Sequence, residues 1–109
     1  MKKKNKRNSS TATPYVLRID GEMTIYRAAE LKEALLMPLE HPAGIEIDLS
    51  GVTEIDSAGI QLLLLAKRSS NANQRTLRLI AHSPAVIDAF ELFNLAGYFG
   101  DPIVIPSSL

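Results

Sequence analysis

The chain contains no cysteine, which excludes disulfides, iron–sulfur clusters and thiolate zinc sites and suits a reducing compartment. Histidine is nearly as scarce. His41 and His82 are the only two, and neither has an acidic partner at metal-helix spacing, so a zinc site is not expected. Long apolar runs are missing as well: the longest, Leu62 to Ala66, falls far short of a bilayer span. Basic residues open the chain but no apolar signal core follows them, so the expected location is the cytoplasm, without secretion or membrane insertion. Two catalytic signatures are also lacking. Ser57 lies in no Gly-x-Ser-x-Gly elbow, and no Gly-rich loop is available to cradle a phosphate. Asp56-Ser57-Ala58-Gly59 differs from the Asp-Ser-Gly of an aspartic protease by the intervening Ala58. These absences point away from an enzyme, and no cofactor is expected.

What is present suits one small globular domain. The 109 residues can build a single core and are too few for two, and a hydrophobic share of 46% is ordinary for such a domain. The formal charge of zero hides an asymmetry. Lys2, Lys3, Lys4, Lys6 and Arg7 supply five of the twelve basic residues, and no acid precedes Asp20. The remainder sets seven basic against twelve acidic residues, a net of −5. Nucleic acid is therefore not an expected partner of the folded part, because phosphate neutralisation needs a basic face. Residues 1–13, nearly free of apolar side chains, are expected to form a disordered basic tail, leaving 14–109 as the domain.

Along that domain, strand and helix signals alternate. Tyr15 to Ile19 has β-branched and aromatic character, and Asp20-Gly21 is a turn or bulge signal. A helix is expected from Thr24 as N-cap, with Ile25, Ala28, Leu31, Leu35 and Leu39 on one face and Pro38 and His41-Pro42-Ala43-Gly44 ending it. Ile45 to Leu49 alternates apolar with acidic residues, as a strand with one less buried face would. A short polar turn is expected next, and then a helix from Asp56-Ser57 to about Ser70. Leu77 to Ile80 is a further strand. Ser83-Pro84 is the clearest helix start, with Val86, Ile87, Phe90 and Phe93 as its apolar face and Gly97 as its stop. Gly100-Asp101-Pro102 then turns the chain toward an edge strand at Ile103 to Ile105. This order predicts an α/β fold with a mixed or parallel sheet and helices packed on it.

The start of the second helix carries the chemistry. First-turn N–H groups are unpaired and the helix dipole favours negative charge there, so a hydroxyl at Ser57 can receive a phosphate with little strain. A plain cap explains Asp-Ser equally well. Asp56 is read either as a solvated cap or turn carboxylate or as a group that helps bind a kinase or metal. Gly59 is read as permitting close helix packing. The apolar residues at 60 and 62–66 go all round their helix, more than one buried face requires. Either both faces are covered within the fold, or Leu62 or Leu65 stays exposed beside Ser57 as a docking patch.

Three stretches give the chain a family resemblance. They are Gly21-Glu22-Met23-Thr24 with Ala28-Ala29-Glu30-Leu31; Ile47-Asp48-Leu49-Ser50-Gly51-Val52 with Asp56-Ser57-Ala58-Gly59; and Leu77-Arg78-Leu79 with Ser83-Pro84-Ala85-Val86. Together they resemble the STAS domain of bacterial anti-sigma factor antagonists, which implies a sheet of four to five strands. The resemblance implies partner switching: a serine at the place of Ser57 is phosphorylated by a kinase that is itself an anti-sigma factor, of the histidine-kinase-like ATPase fold, and a serine phosphatase restores it. It also implies a docking surface built on Thr24, on Asp56, Ser57, Ala58 and Gly59, and on Gln61, Leu62 and Leu65. Thr24 departs from family members served by such kinases, which often carry Asp in that loop. Ile60 to Arg68 with Phe99-Gly100-Asp101-Pro102 looks most like STAS proteins encoded beside chemotaxis genes. A further branch of the family implies the alternative, an unmodified structural subunit of a lipid-transport ABC complex or chemosensory assembly.

Overall fold

Strand and helix alternate through the computed structural model, which describes residues 13–94. Strand β1 spans Tyr15–Met23 and leads through a 3-10 turn at Ile25–Arg27 into helix α1, Ala28–Leu36. A second 3-10 turn, Met37–Glu40, precedes β2 at Ile45–Ile55. Helix α2 follows at Ser57–Ala72, then β3 at Leu77–Ile80 and α3 at Pro84–Phe93. Each strand is joined to the next through a helix, which is how parallel neighbours must be connected. The described sheet accordingly has three parallel strands in the order β1-β2-β3, fewer than the four to five expected. The edge strand expected at Ile103 to Ile105, the Gly97 stop, the Gly100–Pro102 turn and residues 1–12 of the tail lie outside the described residues.

The core lies on one face of this sheet. Ile19 and Met23 of β1, Ile45, Ile47, Leu49 and Val52 of β2, and Leu77 and Leu79 of β3 are all buried. They pack with Leu31, Leu35 and Leu39, with Leu62, Leu63 and Ala66 of α2, and with Val86 and Phe90 of α3. The opposite face is polar. There Arg18 pairs with Asp48 at 3.7 Å and Arg78 with Glu46 at 3.1 Å, each across register positions of adjacent strands. The alternation of Ile45 to Leu49 thus has its physical basis: one parity enters the core and the other forms half-exposed ionic rungs.

Two expectations about elements need correction. Ser50 to Ile55 is not a turn but the second half of β2. The strands stay paired because the ladder shifts register twice, between Arg18 and Asp20 and between Gly21 and Glu22. Both shifts place an extra residue in β2, as bulges do. Gly21 takes the left-handed conformation there, with φ of 83°, so the Asp20-Gly21 signal marked a bulge inside a longer strand. The second correction concerns Ile25, which is 61% exposed rather than buried. It sits in a 3-10 turn, whose tighter winding breaks the phase of the α-helical stripe that begins at Ala28. Phe93, expected on the apolar face of its helix, is half exposed.

Leu63 is fully buried at the centre of this core. Leu63→Ala is expected to cost about 2–5 kcal/mol, read as a lower midpoint with unchanged slope in urea unfolding.

Candidate functional site

The parallel strands β1 and β2 end side by side, Met23 against Ile55, and both the Ile25–Arg27 turn and α2 start at that edge. Gly59 makes this closeness possible. It is buried in the first turn of α2, where an added Cβ would lie 2.2 Å from the Met23 carbonyl oxygen and 2.8 Å from Ile55. Its expected role in close packing is therefore a contact between helix and strand backbone. Overpacking of about 1–3 kcal/mol is expected for Gly59→Ala, seen as a lower thermal midpoint.

Asp56 joins the pieces. It is the N-cap of α2, and one carboxylate oxygen, Oδ1, accepts the Gly59 N–H at 3.0 Å. The other, Oδ2, accepts the Ile25 N–H at 3.0 Å, and the Asp56 N–H donates to the Met23 carbonyl at 3.2 Å. The cap reading therefore holds, with an addition: the same side chain ties the 3-10 turn to the helix. No sequence signal pointed to the Ile25 contact, because it spans residues far apart in the chain.

Arg27 secures the other end of that turn. Its Nη1 donates to the carbonyls of Asp20 at 2.7 Å and Glu22 at 2.8 Å, both on the bulged stretch of β1. Thr24 is buried and extended, and its hydroxyl donates to the Glu22 carboxylate at 2.6 Å instead of capping the turn.

Ser57 is the first residue of α2 and is exposed. Ala58 behind it is half-buried and Gln61 is exposed. Leu62 is buried in the core at 8% exposure, and Leu65 is half-buried. The all-round apolar run is thus largely explained by packing, and Leu62 does not contribute to an exposed patch. The exposed apolar side chains beside Ser57 belong to the facing turn instead, with Tyr26 at 90% exposure and Ile25 next to it. Exposed Glu54 lies just before Asp56 and pairs in register with Glu22, so the rim is acidic.

Among the described residues no group of three or more His, Cys, Asp or Glu could hold a metal ion, and no helix is long and apolar enough to cross a membrane. A cavity of about 370 Å³ lined by Tyr15, Leu17, Ala34, Met37, Pro38 and His41 lies where the strands begin, at the opposite end of the sheet.

The two backbone N–H donors, Ile25 first and Gly59 second, hold the Asp56 carboxyl below its ordinary value of 3.8. A carboxyl depressed in the native state stabilises it fully above the unfolded value and loses that contribution as pH falls through the native value. An NMR titration is therefore expected to show the Ile25 and Gly59 amide shifts moving together, with a midpoint below 3.8. Independent midpoints would mean that one carboxylate does not hold both.

With this geometry in place, similarity to known proteins is informative. The family described as Mlab, STAS domain, matches residues 7–105. An anti-sigma-B factor antagonist of Staphylococcus epidermidis is 27% identical over 82 residues, covering 74% of this chain and 76% of that protein. The anti-sigma-B factor antagonist of Staphylococcus aureus strain NCTC 8325 is 28% identical over the same length. The solved structure of the anti-sigma factor antagonist SpoIIAA in its unphosphorylated form superposes with a TM-score of 0.60 at 22% identity, covering 84% of each chain. That last likeness concerns the fold.

Proposed function

The chain belongs to the STAS domain family, and from that premise we propose that it is a cytoplasmic anti-sigma factor antagonist that acts by partner switching. Its role is to bind, not to catalyse. The unmodified chain docks on an anti-sigma factor that is also a serine kinase of the histidine-kinase-like ATPase fold. Phosphorylation of Ser57 releases it, and a serine phosphatase restores it. The observation that carries this reading is the placement of Ser57, exposed at the first position of α2. The Staphylococcus relatives named as anti-sigma-B factor antagonists support it.

The electrostatics give the switch its direction. A phosphate adds roughly −1.5 to −2 charges at neutral pH. Added beside Glu54 and Asp56, it opposes any acidic or apolar group docked over the same edge. The helix N-terminus tolerates the new charge, so the chain keeps its fold while the partner leaves.

Burial of Thr24 favours a second reading. Its hydroxyl is committed to Glu22, so this position offers no free polar group to a kinase. Under that reading the chain is an unmodified subunit of a lipid-transport or chemosensory assembly.

Mass spectrometry of protein from cells lacking the phosphatase is expected to find phosphate on Ser57. In pull-downs, Ser57→Ala should retain the kinase and Ser57→Asp should lose it. Equal retention of the same partners by both variants would overturn the switch and leave the subunit reading.

A further inference from the structure

The Ile25–Arg27 turn buries none of its residues, so packing does not order it. Hydrogen bonds do. Arg27 anchors the far end to the β1 carbonyls, and the Arg27 N–H closes the turn on the Thr24 carbonyl at 2.9 Å. The near end depends on Asp56 Oδ2, the one contact among these that comes from the segment carrying Ser57. Meanwhile the turn displays Tyr26 and Ile25 to solvent. A large aromatic held rigidly at the surface is the kind of residue that supplies most of the energy of a protein interface.

We propose that Asp56 is a positioning residue whose two carboxylate oxygens lock this turn beside Ser57, presenting Ile25 and Tyr26 as the apolar anchor of the docking surface. The occupant is the anti-sigma factor of the proposed function, which offers an apolar pocket to Ile25 and Tyr26. The Ile25 N–H bond to Asp56 holds that pair at the edge that carries Ser57, where a phosphate dianion would have to be desolvated against the pocket. This deepens the partner-switching reading and rests on it for the identity of the docked protein.

Two oxygens are required, and this makes the inference testable. Asparagine caps helices as well as aspartate does, but it has one acceptor oxygen and an NH2 donor. In Asp56→Asn the amide oxygen can keep the Gly59 N–H, which sets the NH2 against the Ile25 N–H, donor facing donor. Asp56→Asn is therefore expected to melt between the parent and Asp56→Ala, since it keeps the Gly59 bond but loses the charge and the Ile25 bond. Amide exchange on the isolated chain should be about tenfold or more faster at Ile25 in the Asn variant. With purified kinase, unphosphorylated Asp56→Asn and Tyr26→Ser should each bind about tenfold more weakly than the parent, a loss of about 1.4 kcal/mol. Tyr26→Ser should leave the melting temperature unchanged.

Parental exchange at Ile25 in the Asn variant would overturn the lock. An Asn variant as unstable as the Ala variant would overturn the division of labour between the oxygens. Parental kinase affinity in both Asp56→Asn and Tyr26→Ser would overturn the anchor while leaving the switch intact. Failure of the unmodified parent to bind kinase would instead overturn the switching reading and the anchor together, with amide exchange still deciding the lock.

Discussion

The Asp56 carboxylate stands where a strand, a turn and a helix would otherwise separate. Helix α2 begins with unpaired N–H groups, and the Ile25–Arg27 turn offers another at its own start. One anionic side chain answers both, each at 3.0 Å. Charge-assisted bonds of this kind are the stronger ones, and two of them from one carboxylate fix distance and orientation together. Remove the carboxylate and Ser57 still heads a helix, but the surface around it loses its definition.

Everything upstream prepares that meeting. The two extra residues in β2 bend the paired strands so that Met23 and Ile55 finish level. Gly51 lies against Asp20 so closely that a Cβ there would meet its carboxylate, and Gly59 does the same for helix against strand. Arg27 then takes carbonyls that the bulged stretch leaves pointing outward. The core supplies the energy of folding, while these polar and steric details decide where the exposed edge sits.

Much of this was legible in the residues. The alternation at Ile45 to Leu49, the Leu77–Ile80 strand and the Ser83-Pro84 helix start all appear as expected, and Ser83 accepts the Val86 N–H at 3.3 Å. Ser57 at a helix start was legible for the same local reason. Non-local information was missing. Ser50 to Ile55 reads as a turn because its Ser, Gly and Thr favour turns, yet pairing with β1 keeps it extended. The run at 60–66 reads as over-apolar until α1 and the sheet are seen to close on that helix. A helical period carried through Thr24 places Ile25 inside, and only the 3-10 winding turns it out beside Tyr26.

The double bulge makes length as informative as identity. Each bulge absorbs one extra residue, so Leu49, Val52 and Ile55 face the core at intervals of three. Deleting one residue between Leu49 and Ile55 would restore a simpler ladder yet remove the bend and extra twist that a bulge supplies, re-aiming Asp56 and Ser57 at the rim. Relatives that preserve the serine but shorten this interval would carry the hydroxyl without its setting.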